Sequence, residues 1–224
     1  MKRSGLYLFT IAIIVIAAVW GISERRGYSN IVGTEDFMSN MVVAQLPEEM
    51  TRNLCQEMES VLSKAPIVLR VSPTNEMEYS FLSGKQSVSV LEVFKGRDVF
   101  VGQELSVNFP SWSVILTDQY DTVQCGFVNA MKMNRDYLVF LNDSFEALDG
   151  DVIYPFYGDT YVAPMLCYTD SSNRIIPMKE GDPTYVPFSL VKDNEFFVTT
   201  ENALQEMMRV KRFMLDKYAI GNGK

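Results

Sequence analysis

The sequence contains no histidine among its 224 residues. Ser-His-Asp catalysis, Cys-His catalysis and histidine-ligated zinc sites all need an imidazole, so these classes of enzyme and metal site are excluded. A buried lysine can instead serve as the base for a serine nucleophile. Serine and lysine are both present, and a hydrolase that uses a Ser-Lys pair therefore stays open as an alternative.

Acidic side chains occur as close pairs at Glu76 with Glu78, Asp118 with Asp121, and Asp149 with Asp151. A glycosidase needs two carboxylates about 5 to 10 Å apart in a cleft, and a calcium site needs several oxygens that converge from a loop. Solvated turns are also rich in such residues. We therefore assign no catalytic or metal-binding residue, although a hydrolase with paired carboxylates remains a second form of the alternative.

Three cysteines, Cys55, Cys125 and Cys167, are too few and too widely spaced for a zinc cluster. In an oxidising compartment an odd number allows one disulfide and one free thiol. Cys125 and Cys167 both lie in a region of predicted strands, whereas Cys55 lies in a predicted helix. If a disulfide exists, we expect it to join Cys125 to Cys167; three buried thiols are the alternative.

Four aromatic residues lie close together in the sequence, and Trp112 lies elsewhere in the chain. The four are Tyr154, Phe156, Tyr157 and Tyr161. Such side chains could stack on a sugar or a peptide, although they more often pack in a core. The sequence names no cofactor.

The acidic charge of the chain bears on its partners. Lysine and arginine number 20 against 28 aspartate and glutamate. Residues 27–224 retain 16 basic and 27 acidic residues, a net charge of about −11, because four of the basic residues and one acidic residue precede them. Such a surface repels phosphate backbones, so nucleic-acid binding is not expected.

Residues 4–23 carry no charge, and as a helix they would span roughly 30 Å, the thickness of a bilayer core. Lys2 and Arg3 precede the run, which favours a cytoplasmic start and an extracytoplasmic domain. The sequence therefore predicts a membrane contact through residues 4–23. Gly21-Ile22-Ser23 also fits a signal-peptide cleavage site, and cleavage would make the domain secreted.

Periodicity divides the rest of the chain into elements. Apolar residues at helical spacing predict a helix of about 17 residues after Pro47, and a second helix ends near Tyr218. Period-two alternation predicts strands within 67–71, 77–82, 87–94, 104–109 and 136–141. The predicted organisation is an anchor at 1–26, a spacer at 27–46 and an extracytoplasmic domain at 47–224.

Residues 65–140 resemble the OB-fold of the tissue-inhibitor-of-metalloproteinase and netrin-module type, as found in exported bacterial proteins. The resemblance rests on APIVLRV, SVSVLEVFKG, VGQELSVNF, Cys125-Gly126 and DYLVF. It implies a five-stranded barrel with helices packed on it. The inhibitors of that family chelate zinc through an N-terminal cysteine. Here no cysteine lies near the end of the apolar run, and the first one, Cys55, lies in a predicted helix, so protease inhibition by that route does not carry over.

These observations predict an α+β fold, with an N-terminal transmembrane helix followed by a small antiparallel OB-like β-barrel and flanking helices. Its inside is expected to be lined by Val68, Val88, Val90, Leu138 and Phe140. The expected function is a membrane-anchored, extracytoplasmic, non-catalytic binding or structural module with an envelope protein or peptide as partner. An exported hydrolase is the alternative.

Overall fold

The computed structural model describes part of the chain, and all of that part belongs to the unit Met38–Lys224. The described residues are 41–79, 84–109, 113–115, 122–124, 126–147, 150–158, 162–176 and 185–221. The apolar run at 4–23 and most of the predicted spacer lie outside them. Among the described residues, no helix is both long enough and apolar enough to cross a membrane.

The described elements are three helices and twelve strands. The helices are α1 (Glu48–Leu62), α2 (Phe188–Val191) and α3 (Glu201–Lys217). The first six strands are β1 (Val42–Ala44), β2 (Ile67–Pro73), β3 (Glu78–Tyr79), β4 (Gly84–Lys95), β5 (Glu104–Phe109) and β6 (Ser113–Ile115). The other six are β7 (Thr122–Gln124), β8 (Tyr137–Leu141), β9 (Phe145–Glu146), β10 (Val152–Pro155), β11 (Met165–Cys167) and β12 (Tyr185–Pro187).

The larger sheet has eight strands in the order β11-β8-β2-β4-β5-β10-β9, with β3 paired to β4. Its pairings are antiparallel except for β5 with β10, which run parallel. An isolated antiparallel bridge also joins Leu141 at the end of β8 to Phe156, just after β10. The sheet core is apolar because alternate residues of β4 and β5 face inward, and all five residues of β8 are buried.

The smaller sheet has four strands in the order β12-β1-β7-β6. β1 lies between β12, to which it is antiparallel, and β7, to which it is parallel. Met41 and Val43 are buried at this place. Residues 41–44, which the sequence assigns to the spacer, are therefore part of the folded unit.

Helices α1 and α3 begin side by side, because a parallel bridge joins Leu46 to Val198 just before them. The Thr200 side chain caps α3 by accepting a hydrogen bond from the Ala203 amide at 3.2 Å. The helices pack through sulfur-containing side chains, with Cys55 Sγ 3.7 Å from Met207 Sδ. This pair of helices fixes the direction of α3, which carries the buried lysine described below.

The predicted fold, a transmembrane helix followed by a small antiparallel OB-like barrel, is wrong. The described strands form a larger sheet with a parallel pair and a second, separate sheet, and no described helix could span a membrane. The chain is α+β, rich in strand, with few helices. The difference arises because short segments after residue 141 add β9, β10, β11 and β12 to the sheets.

Several local predictions are nevertheless confirmed. The helix after Pro47 is α1 and the last predicted helix is α3. Strands β4 and β5 pair antiparallel from Gly84 with Phe109 to Ser89 with Glu104. The five residues predicted to line the sheet are at most 1% exposed: Val68, Val88, Val90, Leu138 and Phe140.

Candidate functional site

A buried ion pair is the chemically most distinctive feature of the described residues. Lys211 projects from the buried face of α3, and Glu195 lies in the segment between α2 and α3. Lys211 Nζ lies 2.6 Å from Glu195 Oε2, and the two side chains are only 2% and 5% exposed. Such residues are almost never fully buried unless they are paired, so each charge is held here by the other.

Further donors and acceptors complete the ion pair. Glu195 accepts hydrogen bonds from the Cys167 amide at 2.8 Å and from the Ser171 hydroxyl. Lys211 Nζ also donates to the Thr169 carbonyl at 3.2 Å. Three donors thus stabilise the carboxylate and two acceptors stabilise the ammonium, which is the condition under which a buried ion pair is tolerated.

Asparagine side chains fix the loops that carry these groups. The Asn173 side-chain oxygen accepts from the Glu195 amide at 2.9 Å and from the Phe196 amide at 3.0 Å. The Asn194 side chain donates to the Arg174 carbonyl at 2.8 Å and accepts from the Arg174 amide at 2.7 Å. The position of Glu195 is therefore set by hydrogen bonds to the loop at 169–176.

Two more reactive side chains border the ion pair. Cys167 Sγ lies 3.2 Å from Thr169 Oγ1. The Tyr137 hydroxyl accepts a hydrogen bond from the Lys132 amide at 2.8 Å. Burial raises the pKa of Tyr137 above its ordinary value, and the neighbouring Cys167 adds to this effect. Tyr137 therefore stays protonated and neutral at physiological pH.

The space beside this cluster is small. A cavity of about 10 Å³ is lined by residues that include Tyr137, Cys167, Ser171 and Glu195. That volume holds about one water molecule, so it does not admit a substrate. The larger concave surfaces, of about 610 and 440 Å³, lie elsewhere on the described surface.

The hydrogen bonding of the cluster also limits its chemistry. A lysine that acts as a base must be neutral and must accept a proton from the serine. Here Lys211 donates to Glu195, and Ser171 donates to the same carboxylate. The cluster therefore brings a serine and a lysine near one carboxylate without giving the serine a free lysine as base.

The predicted disulfide involves one cysteine inside the described residues and one outside them. Cys55 and Cys167 are both buried, and burial raises the pKa of Cys55 to about 12. Cys125 lies outside the described residues. The pairing of Cys125 with Cys167 therefore stays a prediction.

Only one of the three carboxylate pairs lies wholly within the described residues. Glu76 and Glu78 of that pair are exposed, and Glu78 begins β3. Asp151 forms an ion pair with Lys85 at 2.5 Å. Asp118, Asp121 and Asp149 lie outside the described residues. Within the described ranges, no group of three or more histidine, cysteine, aspartate or glutamate residues could hold a metal ion.

Two members of the aromatic group are part of the core, and Tyr157 is half-buried. Tyr154 and Phe156 are 8% and 3% exposed, and the rings of Phe109 and Phe156 lie 4.3 Å apart between centroids. Tyr161 and Trp112 lie outside the described residues. Tyr154 and Phe156 thus offer no exposed stacking surface.

Sequence reasoning did not identify the Glu195 and Lys211 pair. One signal was present, since Lys211 shares the helical spacing of Ala203, Met207 and Met214 on the buried face of α3. A lysine at such a position implies a buried counter-charge. Nothing in the local sequence identifies that counter-charge as Glu195.

No protein-family model matches this sequence, and no curated protein matches it. The resemblance of residues 65–140 to netrin-type modules therefore stays an untested prediction.

Proposed function

We propose that this protein is a non-catalytic binding or structural module, displayed on the extracytoplasmic side of a membrane. The location rests on the sequence alone, from the uncharged run at 4–23 and the basic residues before it. The proposal that the module is non-catalytic rests on the contacts made by the described side chains. A partner in the cell envelope, either a protein or a peptide, is the class that a domain displayed there would meet.

One observation carries this proposal: the reactive side chains that the structure buries together are all occupied in holding the fold. Glu195 has three donors, Lys211 has two acceptors, and Ser171 donates to Glu195. A catalytic group needs a free acid, base or nucleophile within reach of a substrate. The cavity of about 10 Å³ beside Glu195 leaves no room for one.

The alternative is an exported hydrolase. In that case Ser171 would act as nucleophile with Glu195 or Lys211 as base, and the loop at 169–176 would open to admit a substrate. The small cavity of about 10 Å³ argues against it. Lys211 also donates to Glu195 and to the Thr169 carbonyl, so it is not placed to accept a proton from Ser171.

A fluorophosphonate probe tests the proposal, since it labels serines that are activated as nucleophiles. The full chain should remain unlabelled at Ser171 after prolonged incubation, as judged by mass spectrometry of tryptic peptides. A trypsin sample serves as the positive control. Labelling of Ser171 that disappears in Lys211→Met, while the variant remains folded by circular dichroism, would establish the hydrolase alternative.

A further inference from the structure

A surface groove lies at the end of the larger sheet where β4 leaves it. The groove has a volume of about 440 Å³, and Pro66, Phe94, Lys95, Arg97 and Asp143 are among its lining residues. Phe94 is supported from behind by Tyr218, whose ring centroid lies 5.7 Å away. The groove is therefore lined by both apolar and charged side chains.

Charged side chains of both signs lie at this groove. Lys95, Arg97 and Asp143 line it, and the exposed Asp98 follows Arg97 in the chain. Lys95 Nζ donates to the Ala65 carbonyl, and Lys217 Nζ donates to Ser63 Oγ at 2.8 Å. These contacts bring both lysines to the short connection between α1 and β2. Lys64 lies in that same connection, which also carries Pro66 of the groove, and Arg97 lines the groove. Two of these four exposed cations therefore line the groove, and the other two lie at the adjoining connection.

The helix dipole explains the position of only some of these four cations. Lys217 lies in the last turn of α3, where the helix dipole favours positive charge. Lys64 and Arg97 differ, because their exposed side chains have no hydrogen-bond or ion-pair partner within the part of the chain that the structure describes. Their charges are thus available to another molecule.

Two exposed apolar side chains follow Arg97 in the chain. Phe100 is 65% exposed and Val101 is 58% exposed in the turn between β4 and β5. The turn itself is well bonded, since the Gly102 amide donates to the Val90 carbonyl at 2.8 Å. A turn held in this way presents two apolar side chains to solvent three and four residues after Arg97, and exposed apolar side chains of this kind are typical of a recognition surface.

We propose that this groove binds an acidic peptide segment of a partner protein, one that carries apolar side chains among its carboxylates. The proposal deepens the binding role proposed above and rests on it. Carboxylates would pair with Lys64 and Arg97, and the apolar side chains would lie on Pro66 and Phe94. A concave site with Asp143 on its rim suits a peptide of mixed character better than a dense array of phosphates.

Fluorescence anisotropy of a labelled peptide tests this assignment. The probe is a fluorescein-labelled peptide of four Glu-Glu-Phe repeats, titrated with the full chain in a non-ionic detergent at two salt concentrations. The same peptide with glutamine in place of glutamate is the probe control, because it keeps the apolar side chains and removes the charge. We expect the acidic probe to bind more tightly than this control, and we expect salt to weaken its binding because the contacts are partly electrostatic.

Charge reversal locates the site. Lys64→Glu with Arg97→Glu should weaken binding roughly tenfold or more, because it puts like charges opposite each other. Lys192→Glu with Arg212→Glu makes the same change in net charge at exposed cations that do not line the groove. This control should change affinity less than about twofold. Because none of these four side chains is buried, both variants should fold.

Three outcomes would overturn the proposal. One is that the acidic probe does not bind, and another is that the two charge-reversal variants weaken binding equally. The third is that binding of heparin or of phosphatidylglycerol vesicles depends on Lys64 and Arg97, whereas binding of the peptide does not. That result would indicate that the groove binds a polysaccharide or a lipid. None of these results bears on Ser171, so labelling by fluorophosphonate remains a separate test of the non-catalytic role.

Discussion

Replacing Lys211 with methionine removes the positive charge of the buried ion pair and keeps a side chain of similar length. Glu195 would then remain 5% exposed without a counter-charge. Removal of one partner from a buried pair costs about 3–5 kcal/mol. The Cys167 amide and the Ser171 hydroxyl still donate to Glu195, so we expect a loss near the lower end, about 3 kcal/mol.

The assay is urea unfolding of the full chain followed by far-ultraviolet circular dichroism, from which the free energy of unfolding is extrapolated. Lys132→Met is the matched control, because Lys132 pairs with Asp193 at 3.0 Å on the surface, where Asp193 is 72% exposed. An exposed pair contributes about 0–1 kcal/mol. The control should therefore lose much less stability than Lys211→Met.

A double variant separates the cost of an isolated charge from the loss of packing. Glu195→Gln with Lys211→Met leaves a neutral amide oxygen that can still accept from Cys167 and Ser171. We expect it to recover about half or more of the stability lost in Lys211→Met alone, because no unpaired charge remains buried. The reasoning is refuted if Lys211→Met and Lys132→Met lose equal stability, or if the double variant is the least stable of the three.

Three further predictions concern other parts of the fold. Cys55 should resist alkylation by iodoacetamide at pH 8 in the native state and react in urea, because burial raises its pKa from 9.0 to about 12; equal rates in both states would contradict this. Thr200→Ala should lower the free energy of unfolding by about 1 kcal/mol. The Thr200 hydroxyl also donates to Glu48, and this bond lowers the pKa of the Glu48 carboxyl below its usual 4.5. The stability from the bond to Glu48 is therefore present above pH 4.5 and lost as the pH falls further. A loss of stability in Thr200→Ala that does not change with pH would argue against the contact. Gly158→Ala should cost about 1–3 kcal/mol in thermal unfolding, because φ is +109° and an added Cβ would lie 3.0 Å from Val162 Cβ; unchanged stability would show that the turn relaxes.

The elements that the sequence predicted are those whose signals are local. α1 follows from apolar residues at helical spacing after Pro47, and β4 with β5 follows from two alternating segments joined by a short turn. Residues four apart on a helix or two apart on a strand share a face, so burial of Val88 and Val90 could be predicted without knowing their partners.

The parts that were missed depend on contacts between distant segments. β1 pairs with β12, about 140 residues later in the chain, and β5 pairs parallel with β10 across a long connection. Strands of two to four residues are too short to show the alternation that would predict such pairings. The contact between Lys211 and Glu195 is also long-range, and the sequence around each residue alone does not identify the other as its partner.

Hydrogen–deuterium exchange of the full chain with and without the acidic Glu-Glu-Phe peptide tests the central claim most directly, namely that this domain binds through its surface while the buried cluster serves the fold. At saturating peptide, amides at 93–103 should exchange more slowly, whereas amides at 167–176 and 193–197 should be unchanged. Slower exchange confined to the segments around Cys167 and Glu195 would contradict the account, because it would place the ligand at the buried cluster.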